Sequence, residues 1–270
     1  MRHSVLVLRM SVCLLVMVFV AGCDGFVAYQ VKVETKVLDS TTDILPLQDS
    51  LVKPVLYKNI TGLQSLPLSE GKEKFISAIL PSILVAKHQV ENERRKLVYL
   101  TLKELWNKED SVFFFEMKKR YGGRNAEELS QRIITMPNSI ILAQAAIETG
   151  WGQSRFFVQA SNLFGIWSFD EHEARIEAGS RNNTKIFLRS YDNLSQSITD
   201  YFQVLSRHRA YKTLRKARLT TKDPYELVDH LKHYSERKKW YVNQLKQVIR
   251  QNNLTRYDQY RIDPQYLYLY

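Results

Sequence analysis

One carboxylate in this chain is set up for acid chemistry. Residues 141–156 read ILAQAAIETGWGQSRF and residues 160–167 read ASNLFGIW. An apolar helical run ends at Glu148, Gly150-Trp151-Gly152 makes a sharp turn, and Phe164-Gly165 makes a second one. Ile141, Gln144 and Ala145 share the face of Glu148 at helical spacing, so the carboxyl sits at the edge of a core. Its place in the last helical turn exposes it to the negative end of the helix dipole. An aromatic neighbour such as Trp151 adds desolvation, and both effects raise a carboxyl pKa. A protonated carboxyl beside aromatic surfaces is what general-acid cleavage of a glycosidic bond requires. Two plainer readings stand beside this one. A glutamate at a helix end can serve only to bond a backbone amide, and Trp151 can either stack on a sugar or fill core.

The elements that must position this acid are mostly helices. Residues 75–106 read as one or two helices, with Pro81 as an early kink or start. Residues 111–122 form a shorter helix ended by Gly122-Gly123, and residues 125–135 another, with Asn125 as N-cap and Glu128 completing a loose capping box. Pro137 and Asn138 open the helix that carries Glu148. Residues 193–208, 224–234 and 240–253 give three more. The exception is residues 168–191, whose alternating pieces around Gly179 predict a β-hairpin lobe inserted between helices. The expected fold is a mainly α domain whose small β-hairpin lobe forms one side of a substrate groove.

Residues 11–20 are an apolar run flanked by Arg2, His3 and Arg9, too short to span a membrane comfortably. The run ends in Val20-Ala21-Gly22-Cys23, which resembles the lipobox of bacterial lipoproteins; that resemblance implies a leader over residues 1–22 and an acylated Cys23. An uncleaved anchor is the alternative. Cys13 leaves with the leader, so the mature chain holds one cysteine and no disulfide. Asp24 resembles the inner-membrane retention signal of enteric bacteria, with outer-membrane placement left open. The expected location is the periplasmic face of a bacterial membrane. Residues 23–70 read as a tether with some local structure, residues 71–255 as the catalytic domain and residues 256–270 as a tail.

The strings LAQAAIETGWGQSRF and NLFGIW resemble those of the family 73 β-N-acetylglucosaminidases, and among subgroups the bacterial Bax proteins. The resemblance covers roughly residues 72–252. It implies a lysozyme-like fold, an endo-β-N-acetylglucosaminidase activity on peptidoglycan, and Glu148 as the general acid. It further implies a groove lined by Asn162, Leu163, Phe164 and Gly165, and it aligns Tyr234 with the family's catalytic tyrosine, with Tyr241 nearby. Gln144, Trp151, Trp167 and Tyr241 join Asn162, Phe164 and Gly165 as candidate substrate contacts. The chain departs from the family in the hairpin, where a Thr-Thr-Glu string with a second carboxylate is missing. Asp170, Glu171, Glu173 and Glu177 are the candidates; Glu177 fits best, because it precedes the glycine turn, and Glu173 is next.

The formal net charge of +11 suits nucleic acid, anionic lipid or an acidic polymer without choosing among them. Nucleic acid ranks last because it conflicts with export. The histidines lack the spacing of a helical zinc site, and no P-loop, dinucleotide fingerprint or nucleophile elbow is present. Neither metal nor organic cofactor is expected. The expected partners are peptidoglycan glycan strands and, through the lipid, a membrane; a monomer is expected. The rival functions are a lytic transglycosylase and a non-catalytic glycan-binding lipoprotein.

Overall fold

The computed structural model describes residues 26–181 and 183–269. The leader, Cys23 and Asp24 lie outside the described residues. The chain starts with four short strands, β1 (Tyr29–Val31), β2 (Glu34–Val37), β3 (Leu51–Val52) and β4 (Val55–Lys58), and then enters the long helix α1 (Leu68–Leu102). At 35 residues, α1 is a rod of about 50 Å around which the other helices gather. Pro81 lies inside it without ending it. A proline there forfeits a backbone hydrogen bond. The loss is offset because Phe75, Ile79, Leu80 and Ile83 around it are all fully buried, each worth about 1.5–3 kcal/mol.

Next come α2 (Lys108–Tyr121), α3 (Ala126–Arg132), α4 (Asn138–Thr149) and α5 (Arg155–Ala160). The capping box expected at Asn125 is half formed. The Asn125 side chain accepts from the Glu128 N–H at 2.9 Å, but the Glu128 carboxylate turns to Arg124 and Arg132. The β lobe follows: β5 (Trp167–Ser168), β6 (Arg175–Arg181) and β7 (Thr184–Arg189) form one antiparallel sheet in the order β5-β7-β6. The expected hairpin is β6–β7, with Glu177 opposite Phe187 and a register shift between Glu177 and Gly179.

Four helices and two strands complete the chain: α6 (Leu194–Arg207), α7 (Lys212–Arg218), α8 (Pro224–Val228), α9 (Lys239–Gln251), β8 (Arg261–Ile262) and β9 (Leu267–Leu269). α6 buries Leu194, Ile198, Tyr201, Phe202 and Leu205, a stripe at helical spacing that packs on α1. The helix expected over 224–234 is shorter. α8 stops at Val228, a 3-10 turn covers Asp229–Leu231, and the chain then turns to lay the Tyr234 ring flat against Tyr241. The molecule is thus mainly helical with a small antiparallel sheet.

Both ends of the described chain are built into the fold. β1 pairs with β9, β3 with β8 and β2 with β4. Leu38, Ile44, Val52, Val55, Tyr57 and Ile60, in the segment read as a tether, are buried, as are Tyr257 and Ile262 in the segment read as a tail. These strands are two to four residues long. Such short pieces carry no period of their own, and β1 and β3 find their partners, β9 and β8, at the other end of the sequence.

Candidate active site

Helix α4 is a fixed platform. Its residues from Asn138 to Ala146 are all buried. At its N-terminus the Asp258 carboxylate accepts from the Ser139 N–H at 2.7 Å and from Ser139 Oγ at 2.8 Å, which satisfies a free helix donor with a negative charge. Asn138 Nδ2 donates to the Tyr257 carbonyl at 2.7 Å, and Lys87 Nζ donates to Asn138 Oδ1 at 2.7 Å. At the other end Gly150 and Gly152 take positive φ, +58° and +89°. A Cβ on Gly152 would stand 2.8 Å from Leu63 Cδ1, so only glycine fits this close approach. Trp151 also has positive φ, +59°. Its ring meets the edge of Phe75 on α1 at 5.5 Å, and Lys72 Nζ lies 4.8 Å above it. Trp151 therefore packs on α1 and is not among the residues lining the groove. Of the two readings its sequence left open, this position is the core one.

Glu148, in the last turn of α4, opens onto a groove of about 810 Å³ between the helices and the β lobe. Its carboxyl reaches solvent along the groove, yet protein crowds it on the other sides. That burial pushes its pKa above the usual carboxylate range, while a hydrogen bond from Tyr241 opposes the shift. The Tyr241 hydroxyl donates to Glu148 Oε1 at 3.0 Å. Gln144 Nε2 donates to the Tyr241 oxygen at 3.1 Å, and the Tyr201 hydroxyl donates to Gln144 Oε1 at 2.5 Å. The result is a one-way relay, Tyr201 to Gln144 to Tyr241 to Glu148. Burial raises the phenol pKa values of Tyr201, Tyr234 and Tyr241 far above their ordinary level, so all three keep their protons.

Aromatic rings back the relay. Phe164 stacks on Tyr201 at 4.4 Å, Tyr234 meets the edge of Tyr201 at 6.1 Å, and Tyr234 stacks on Tyr241 at 5.5 Å. Phe164, Gly165, Trp167 and Tyr234 all line the groove with Glu148. Gln144, Asn162 and Tyr241 do not; each is at most 2% exposed. Asn162 spends its amide on the turn: Nδ2 donates to the Ile166 and Arg189 carbonyls, and Oδ1 accepts from the Phe164 and Ile166 N–H groups. It shapes the Phe164-Gly165 turn from beneath instead of presenting a hydrogen bond to the groove.

The hairpin carboxylates are engaged elsewhere. Glu177 Oε2 pairs with Lys185 Nζ at 2.8 Å, and Glu173 pairs with Arg189 Nε at 3.1 Å. None of Asp170, Glu171, Glu173 and Glu177 lines the groove with Glu148. The second carboxylate that does is Asp200 on α6, which the sequence reading did not select. Its Oδ2 accepts from Arg189 Nη1 and from the Tyr191 hydroxyl, both at 2.7 Å. Phe169, at 85% exposure, and Trp167, at 48%, form an aromatic pair 6.0 Å apart on the lobe side, and Arg207, His208 and Arg209 make a basic opposite rim. Among the described residues no group of three or more His, Cys, Asp or Glu could hold a metal ion.

Tyr201 and Asp200 were missed for different reasons. Tyr201 lies on the apolar stripe of α6, where the period reports burial and says nothing of chemistry. Asp200 lies two residues from Ile198 and from Phe202, off that stripe, and is shielded by Arg189 and Tyr191, which only the fold brings to it. The available signal was a polar aromatic on an apolar face, because a buried hydroxyl must find a partner.

Comparison with known proteins matches these residues to one group. Residues 123–254 match the model of the Glucosaminidase family, described as mannosyl-glycoprotein endo-beta-N-acetylglucosaminidase. Over 212 residues the chain is 25% identical to Protein bax of Escherichia coli (strain K12), covering 72% of this chain and 74% of that protein. It is 30% identical over 89 residues to the exo-glucosaminidase LytG of Bacillus subtilis, and there it spans only 31% of the relative's length. Among solved structures, the catalytic domain of the autolysin Auto from Listeria monocytogenes superposes with a TM-score of 0.40 at 18% identity, over 62% of this chain and 97% of that one. The glycoside hydrolase domain of FlgJ from Salmonella typhimurium gives 0.37 at 23%, over 52% and 87%. The span that matches the family model holds Glu148, its tyrosine relay and the whole β lobe.

Proposed function

We propose that this chain is a peptidoglycan hydrolase that cleaves the bond after N-acetylglucosamine, with Glu148 as the general acid. The observation that carries the reading is the state of that one carboxyl. It opens on the groove, burial raises its pKa, and the Tyr241 hydroxyl fixes its orientation from 3.0 Å. An acid whose pKa is raised keeps its proton to higher pH than an ordinary carboxyl and can give it to the leaving oxygen as the glycosidic bond breaks. Tyr234, which also lines the groove, would orient the acetamido group or the attacking water. Trp167 and Phe169 offer apolar faces to sugar rings. The mode we propose is endo, and the Bacillus relative named an exo-glucosaminidase makes it a point to measure.

Glu177 and Glu173 are held in ion pairs away from Glu148, which favours a single-acid mechanism. In it the substrate's own N-acetyl oxygen steadies the developing positive charge. The same observation supports a second reading, a lytic transglycosylase, because internal attack by a sugar hydroxyl needs no carboxylate to activate water. By the lipobox-like string, we place the protein on the periplasmic face of a membrane, acylated at Cys23.

Zymography on purified sacculi with wild type and Glu148→Gln tests the acid. Equal clearing by the two would end the assignment. Mass spectrometry of the released fragments then separates a reducing sugar end from an anhydro end lighter by one water. Release of single terminal sugars from intact glycan would replace the endo mode with an exo one.

A further inference from the structure

The hairpin of α1 and α2 ends in an apolar tip that the site does not use. Leu102 is 80% exposed, Leu105 83%, Val112 51% and Phe115 63%. Exposed apolar residues on soluble proteins are usually scattered singly, and a cluster marks a contact surface. Here the turn between the helices joins Leu102 to Leu105, and Val112 and Phe115 share one face of α2 at a spacing of three. Trp106 stands at the border, its ring 5.1 Å from Phe114 and its Nε1 donating to the Leu100 carbonyl at 3.0 Å. An amphipathic ring of this kind suits the boundary between apolar and polar layers.

The course of the N-terminal chain says what meets this tip. Phe26 packs on Tyr99 at 6.0 Å, less than one turn before Leu102 on α1. His88 Nε2 and Asn92 Nδ2 both bond the Tyr29 carbonyl at 2.7 Å, so the chain runs pinned along α1 toward its C-terminal end. Cys23 precedes Phe26 by three residues, a reach of at most about 11 Å. A lipid on Cys23, or a retained apolar run before it, brings the bilayer to this end of the molecule.

We propose that the α1–α2 tip is a membrane-contact surface, with Leu102, Leu105, Val112 and Phe115 entering the headgroup layer of the bilayer. This rests on the membrane placement given under Proposed function and adds the orientation. A Cβ on Gly122, just past the far end of α2, would stand 3.7 Å from Arg207, which lines the groove. The 14 residues of α2 hold that rim roughly 20 Å from the turn that carries Leu105 and about 10 Å from Phe115. The groove would face away from lipid, toward the wall.

The test uses the full chain bound to vesicles of phosphatidylethanolamine and phosphatidylglycerol. An environment-sensitive fluorophore is attached at Leu105→Cys or, on the groove rim, at Phe169→Cys. Brominated lipid should quench the 105 label roughly threefold or more over the 169 label, and Phe115→Glu should reduce that excess. Mass spectrometry of the intact chain judges the acyl group separately. An acylated, vesicle-bound chain whose 105 label is quenched no more than the 169 label overturns the tip and leaves the anchor standing. An unacylated chain whose 105 label is still quenched rejects acylation at Cys23 and leaves the tip standing, and an unacylated chain without quenching rejects both. A 105 label shielded from water equally without vesicles, at concentrations where the chain self-associates, would assign the patch to a second copy and overturn the proposal. Glu148→Gln turnover is unaffected by any of these outcomes, so the hydrolase reading is judged on its own.

Discussion

The two walls of the groove are built on opposite plans. On the helical wall Glu148 ends a helix buried along most of its length and capped at its start by Asp258, and its carboxyl takes a hydrogen bond from a buried relay of tyrosine, glutamine and tyrosine. Burial there raises the pKa of an acid with no cationic partner beside it. On the lobe wall the carboxylates are tied to cations, Glu177 to Lys185 and Glu173 to Arg189, and two aromatic rings lie open to solvent. The difference separates the labours of the groove. The wall built on a buried helix tunes a proton, and the lobe wall offers surface for binding.

The sharpest way to break that contrast is to remove one acid from each wall. Glu148→Gln should lower kcat by about 10²- to 10⁴-fold, while Glu177→Gln should leave it within about twofold, both read as turnover of purified sacculi. A large loss at Glu177 would restore the two-carboxylate mechanism. The stability of Glu148→Gln should move the other way. A carboxyl whose folded pKa is raised favours folding below its unfolded pKa, and that support is lost as pH rises toward the folded value. Glutamine has no charge to bury, so the variant should melt at a higher temperature than wild type at neutral pH and at nearly the same temperature near pH 4.

Next in size is the joint between the walls. Arg189 on β7 reaches Asp200 on α6 at 2.7 Å, and Asp200 is 9% exposed. Arg189→Met should cost about 2 kcal/mol by leaving a shielded charge unpaired, reduced from the fully buried case because Arg189 is partly open. Urea denaturation measures this, and an unchanged midpoint would show the lobe to be attached by other contacts.

A smaller effect, on tuning alone, is expected from Tyr241→Phe. Loss of the hydroxyl removes the one interaction that lowers the Glu148 pKa. Activity that requires the protonated acid falls as pH rises through that pKa, so the alkaline limb of kcat/KM should move to higher pH. The rate should drop roughly three- to tenfold as the acid loses its fixed orientation. A limb that stays in place would disconnect the relay from the acid. Smallest of all, Trp167→Ala should raise KM by roughly three- to tenfold with kcat little changed, the signature of lost uniform binding.

Much of the helical wall was legible in the sequence. The run ending at Glu148, the glycine turn after it and the Asn-Leu-Phe-Gly turn are local patterns, and local patterns are set by neighbours along the chain. Tyr201 was hidden because it shares a stripe with Ile198 and Phe202, and periodicity treats the three alike; Asp200, off that stripe, gains its partners Arg189 and Tyr191 only in the fold. Trp151 lies between the two glycines of the turn yet packs on Phe75, since the direction of a side chain at positive φ depends on what fills the space beyond it. Asn162 looked like a groove residue and is a buried brace, because its four hydrogen-bond partners lie on a turn and a strand that meet only in the fold. The end strands were least legible, for β1 and β9 are separated by almost the whole chain.

By itself, the sequence determined the helical content, the position of the acid at a helix end and the β insertion, since propensity, capping and glycine turns act over a few residues. Only the tertiary structure decided which groups face the acid. Burial and long-range contact supply the raised pKa of Glu148, the relay behind it and the pairing of Asp200 with Arg189, and none of these exists until separate segments have packed together.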